Sequence, residues 1–262
     1  MNSMTKVKDK VQKTVKTVFI ITGILFAIFG FIIGYSVVKD LEQEELLKQE
    51  IINYSNKNIA TDNFEITVKT KGDYAYVEEA IKKYFKTLSD TVKTVNSYLN
   101  SERVKNFLTV ENLEKDSPDY SLSFNTIKDA RINVNNGINE IKELCDEETI
   151  KNLLDKKKLD DPGYYYDFYI QLMYTDSDKK EFEKLKKDMD VLSQNINAFF
   201  DKGDEILKFL KDHSDEIEYK ENKIYFSSET TLVEYKKHLS QLDEVASKIT
   251  VEKEPEEDTN AI

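Results

Sequence analysis

The chain has 262 residues and a formal charge of −12, with a single Cys, no Trp, 7 Gly and 3 Pro. One Cys excludes an internal disulfide, and few Gly and Pro favour long helices over many short strands. Five Lys against one Asp give the first 38 residues +4, which leaves −16 for the rest, a poor surface for nucleic acid or anionic lipid.

Residues 1–17 form a short basic tail with Lys6, Lys8, Lys10, Lys13 and Lys16. Val18 to Val38 comes next as VFIITGILFAIFGFIIGYSVV, without a charged residue. At about 1.5 Å per residue, roughly 20 helical residues cross a hydrocarbon core. The spacing predicts one transmembrane helix over 18–38, a signal anchor in a single-pass protein. Lys-rich short flanks stay cytoplasmic, so the N-terminus is expected inside and residues 39–262 outside. A cleavable signal peptide is the rival reading, with Gly34-Tyr35-Ser36 as a cleavage-like pattern, but its apolar region spans only about 7–15 residues. Gly23, Ala27, Gly30 and Gly34 fall within about 60° of one another on this helix. Such a small-residue face lets helices approach closely in lipid, so it is the candidate packing face for a second copy or a membrane-protein partner. The alternative is that Gly is simply common in such helices.

Residues 39–63 read as a juxtamembrane helix, continuing to about Asn53, and a linker. Residues 64–250 are expected to form the exported helical domain. Phe64, Ile66 and Val68 alternate with polar residues and predict a strand ended by Lys71-Gly72. From Asp73, expected as an N-cap, a helical stripe runs Val77, Ile81, Tyr84, Leu88, Val92, Val95, Leu99. Short helices are expected at 101–109 and 147–157. A second stripe is Ile127, Ala130, Val134, Ile138, Ile141, Cys145. A third runs Phe182, Leu185, Met189, Leu192, Ile196, Phe199, Gly203, Ile206, Leu210, with Ser177 as expected N-cap. The fourth is Leu232, Tyr235, Leu239, Leu242, Ala246, Ile249, with Thr230 as cap. Ile217–Tyr219 and Ile224–Phe226 flank a four-residue polar turn and predict a hairpin. A lone hairpin is marginal, so the 64–68 strand is expected to join it in a three-stranded element. Residues 251–262 are acidic, contain Pro255 and predict a disordered tail.

The fold class is therefore mainly α: one N-terminal transmembrane helix, then an extracytoplasmic antiparallel helical bundle with a small β element. An extended coiled coil with another chain is the alternative use of the same stripes.

Two further places bear on function. The segment Tyr164 to Tyr174, after the Asp161-Pro162-Gly163 turn, is apolar on more than one helical side. Tyr165, Phe168 and Leu172 share one face, and Tyr166, Ile170 and Met173 share another. It is either a central buried helix or one that exposes a Tyr face, with Tyr164, Tyr166, Tyr169 and Tyr174 as candidate partner-binding residues for protein or wall glycan. Cys145 ends an apolar stripe, which predicts a buried thiol; an intermolecular disulfide is the alternative. His213 and His238 are the only histidines, and no zincin, paired-Cys, calcium-loop, phosphate-loop, dinucleotide or G-x-S-x-G pattern occurs. No cofactor, metal or enzyme activity is expected.

The blocks GDYAYVEEAIKKYF (72–85), LCDEETIKNLLDKK (144–157) and YYYDFYIQLMY (164–174), with IEYKENKIYF (217–226), resemble those of uncharacterised single-pass, membrane-anchored helical proteins of low-GC Gram-positive bacteria. The resemblance implies a place at the cell membrane, and carries no site residues. Together these readings predict a membrane-tethered interaction module of the cell envelope. An extracytoplasmic sensor or ligand-binding domain is the alternative, and a wall-acting enzyme comes third.

Overall fold

A computed structural model describes residues 41–249. The run 18–38, its small-residue face Gly23-Ala27-Gly30-Gly34, the basic tail and the acidic tail lie outside the described residues. Among the described residues, no helix is long and apolar enough to cross a membrane.

The described chain is mainly helical with one antiparallel two-stranded sheet. The elements are α1 (Leu41–Ser55), α2 (Asp73–Leu99), α3 (Glu102–Asn106), α4 (Val110–Asp116), α5 (Ser121–Leu144), α6 (Glu147–Asn152), α7 (Pro162–Met173), α8 (Asp176–Asp212), β1 (Ile217–Lys220), β2 (Lys223–Phe226) and α9 (Glu229–Ile249). Every apolar residue of the four predicted stripes is buried except Leu192 and Leu232, which are half-buried. The expected helix at 101–109 resolves into α3 and the residues that lead into α4.

The caps move. Thr175, not Ser177, opens α8: its amide and hydroxyl bond the Asp178 carboxylate at 2.7 and 2.6 Å, and its hydroxyl accepts from the Asp178 amide, a reciprocal capping box. Ser228, not Thr230, accepts from the Thr231 amide ahead of α9. Asp73 does begin its helix, but its carboxylate accepts the amides of Asp160 and Asp161 at 2.9–3.0 Å, tying α2 to the start of α7.

The described residues form two compact units. One comprises 41–96 and 135–191, the other 97–134 and 192–249, so the change of unit falls inside α2, α5 and α8. In the first unit, the stripe of α2 packs on α5, where Gly137 permits close approach. A Cβ at Gly137 would lie 2.2 Å from Val95 Cγ2. The methyl belongs to a β-branched side chain with little rotamer freedom. Gly137→Ala is therefore expected to cost about 1–3 kcal/mol of stability despite the better helix propensity of Ala. In a urea double-mutant cycle, Val95→Ala should relieve that cost; additive losses would show that the clash is absent.

The second unit holds the hairpin. Ile217 pairs with Phe226 and Lys220 with Lys223, and Glu221 and Asn222 supply the two positive φ angles that a two-residue turn requires. The expected third strand is absent: residues 64–68 form no strand and pair with none, and they belong to the first unit. The hairpin is held by side chains instead. Ile224 is buried, the Phe226 ring lies 5.1 Å from Tyr235, and the Tyr120 and Tyr219 hydroxyls are 2.7 Å apart. In the same unit Arg131 of α5 reaches Asp201 and Asp204 of α8 at 2.6 and 2.9 Å.

Candidate functional site

The chemistry of the first unit concentrates where α1, α2 and residues 63–71 meet. Glu50 and Tyr54 stand one turn apart on the buried face of α1, as Glu78 and Lys82 do on α2. The Lys82 ammonium uses three acceptors: Glu50 Oε2 at 2.7 Å, Glu78 Oε1 at 2.5 Å and the Thr67 carbonyl at 2.7 Å. The Tyr54 ring centroid lies 4.8 Å from the same nitrogen. Lys69 Nζ takes the other Glu50 oxygen at 2.7 Å. Glu78 Oε2 accepts the Thr70 amide and hydroxyl at 2.8 and 2.7 Å and the Lys69 amide at 3.0 Å. Two carboxylates and two ammonium groups thus neutralise one another, with Glu78 0% and Lys82 3% exposed.

Burial pushes both carboxyls up, but the bonds from Lys82, with Lys69 for Glu50 and Thr70 for Glu78, outweigh it and hold both below the ordinary range. Burial likewise lowers Lys82, and its bonds to Glu50 and Glu78 overcome this and raise it. Its buried members bind segment to helix, and Lys82 spends all three of its donors inside the protein.

The cluster also explains the missing strand. The Tyr54 hydroxyl donates to the Glu65 carbonyl, Lys82 to the Thr67 carbonyl, and the Lys69 amide to Glu78. Side chains therefore occupy the edge that a neighbouring strand would need. Phe64 anchors the start of the segment against Tyr54 at 5.6 Å and Phe85 at 6.4 Å. Gly72, at φ +58°, turns the chain into α2.

The Tyr-rich helix α7 begins with Asp161 as N-cap and Pro162 in the first turn. Tyr169, offered by the sequence as a binding residue, is fully buried, and its hydroxyl donates to the Ile150 carbonyl at 2.7 Å. It belongs to the core. Tyr164, Tyr166 and Tyr174 are half-buried and do not converge. Tyr164 stacks on Phe168 at 6.1 Å, Lys156 lies 3.5 Å above the Tyr166 ring, and Tyr174 stacks on Phe182 at 5.7 Å. Tyr74 meets Tyr165 and Phe168 edge-on at 4.9 and 5.9 Å, so α7 is buried on the side that faces α2.

Cys145 is fully buried, bonds the Ile141 carbonyl, and is pushed up to about 12 by burial, so the thiol is inert and out of reach of a partner's thiol. His213 and His238 both pack against Phe209, at 4.4 and 5.2 Å. Among the described residues, no cluster of His, Cys, Asp and Glu is arranged to hold a metal ion.

Sequence reasoning missed Glu50, Lys69, Glu78 and Lys82 altogether. Their only signal is the Glu-Lys spacing of four on α2, which a surface ion pair shares. No known protein family, curated protein or solved structure matches this chain.

Proposed function

We propose that the chain is a membrane-tethered interaction module of the bacterial cell envelope. A single N-terminal spanning helix anchors an antiparallel helical bundle on the outer side of the membrane. The uncharged run Val18 to Val38, with Lys on its N-terminal flank and acid on its C-terminal flank, carries this reading. The helical, acidic and disulfide-free character of the chain beyond Val38 supports it.

Protease added to intact cells is expected to degrade the region after residue 38, while the same region survives on inside-out vesicles. Protection on intact cells and cleavage on inside-out vesicles would overturn the proposal.

A further inference from the structure

The hairpin of the second unit uses only the inner edge of each strand. Glu221 and Asn222 form its two-residue turn, so Lys220 and Lys223 are a hydrogen-bonded pair. The Ser227 amide donates to the Glu216 carbonyl at 2.9 Å, which makes those two residues another. Bonded and non-bonded pairs alternate along an antiparallel ladder. Glu218 and Tyr225 therefore bond each other, while Ile217 with Phe226 and Tyr219 with Ile224 do not. The main-chain groups of these last four residues point away from the hairpin. Those of Ile217 and Tyr219 lie along the β1 edge, and those of Ile224 and Phe226 along the β2 edge. Among the described residues, these groups make no hydrogen bond. On the outer face of the sheet, Tyr225 is 37% exposed, and Glu218, Lys220 and Ser227 are exposed with it.

We infer that the β2 edge pairs with the β2 edge of a second copy, antiparallel, about a two-fold axis through Tyr225. Ile224 faces the partner's Phe226, and Phe226 the partner's Ile224, as hydrogen-bonded pairs. Each pair exchanges its bonds between groups that otherwise lack partners. Tyr225 meets the partner's Tyr225 on the axis, in the closer, non-hydrogen-bonded kind of pair, where aromatic side chains attract across strands. Lys223 meets the partner's Ser227 at both ends, so no like charges are opposed. The β1 edge suits a copy of itself less well. Its axis would pass through Glu218 and set carboxylate against carboxylate. A parallel β2 pair would set Lys223 beside Lys223. Pairing β1 with β2 would leave a free edge at each end and build an open chain of copies, not a closed dimer. The hairpin orders β2 beforehand, which lowers the cost of pairing. The strip is short. This inference rests on the proposed tether, which holds copies together in two dimensions and raises their effective concentration.

Tyr225 on the axis makes the test direct. Opposed residues of a non-hydrogen-bonded pair have Cα atoms about 4.5 Å apart, within disulfide range. Glu218 lies beside Tyr225 on the same outer face, but three strand spacings, about 14 Å, separate it from the partner's Glu218. The full chain with Tyr225→Cys, in native membranes treated with copper-phenanthroline, is expected to form a homodimer on a non-reducing gel. Its yield should be about tenfold above that of the control Glu218→Cys, because the two thiols are held together rather than meeting by collision. Cys145 is buried and takes no part. Adding Ser227→Lys sets Lys against Lys223 at both ends and should return the yield to the control level. Adding Lys223→Glu as well restores opposite charges and should restore the yield. A Tyr225→Cys yield no better than the control would overturn the inference. So would a crosslink to a different protein, or a yield that both charge changes leave unmoved. A membrane-impermeant maleimide on intact cells, added before oxidation, separates this from the proposed topology. Tyr225→Cys labelled from outside but uncrosslinked sinks the pairing alone. Tyr225→Cys labelled only after lysis sinks the outward topology, whatever the crosslink shows.

Discussion

Lys82→Met is expected to lower the unfolding free energy by about 3–5 kcal/mol, because it leaves two buried carboxylates facing each other without their shared cation. Lys83→Met is the control. Lys83 pairs with Glu79 at the same spacing on the same helix, but that pair is 46% and 35% exposed, and its loss should cost no more than about 0.5 kcal/mol. Urea unfolding of the two variants, followed by circular dichroism, checks the contrast. Equal losses would show that the buried cluster is not a latch.

The cluster also predicts a pH window. Glu50 and Glu78 titrate lower in the folded chain than their ordinary value of 4.5. Their stabilisation is thus complete above 4.5, and is lost as pH falls through the depressed folded values. Lys82 is raised above 10.5, so its contribution is complete below 10.5 and is lost as pH rises through the folded value. The gap between the wild-type chain and Lys82→Met should be widest between these limits. It should narrow in acid, where the stranded carboxyls of the variant take up protons.

Tyr169→Ala is the second large effect, about 3–5 kcal/mol, since it empties a fully enclosed aromatic site in the first unit. Tyr169→Phe keeps the ring and loses only the bond to the Ile150 carbonyl, for about 1 kcal/mol. Tyr164→Ala, on a half-buried ring, should cost well below Tyr169→Ala. Thermal unfolding of the three variants gives the order. If Tyr169→Ala unfolds like the wild-type chain, Tyr169 does not sit in the core.

The helical stripes were legible because the core of a long amphipathic helix repeats every three to four residues, a pattern that survives in the order of residues alone. The hairpin was legible for the same kind of reason, since alternation and a polar turn are local. The caps of α8 and α9 each fell two residues from where the sequence put them. Thr175 and Ser228 compete with Ser177 and Thr230 as equivalent short polar side chains, and only the course of the incoming chain chooses between them. The strand expected at 64–68 does not form: its backbone bonds side chains of α1 and α2, and the Thr67 amide closes on the Glu65 carbonyl. Alternation does not report what satisfies the backbone.

The sequence by itself determined the apolar run Val18 to Val38, the acidic remainder, the mainly helical class and the buried fate of Cys145. These depend on composition and on periods shorter than a few turns. Only the tertiary structure decided the rest. Glu78-Glu79 and Lys82-Lys83 are two overlapping Glu-Lys pairs of identical spacing. One is buried with Glu50 and the Thr67 carbonyl, and the other is a surface pair. Their offset of about 100° around the helix means nothing until α1 and residues 63–71 arrive on one side of it. Tyr169 and Tyr164 likewise share a helix and a residue type, and the position of α6 beside one of them, through Ile150, makes it core. Burial is a property of the neighbours, and those neighbours come from segments distant along the chain.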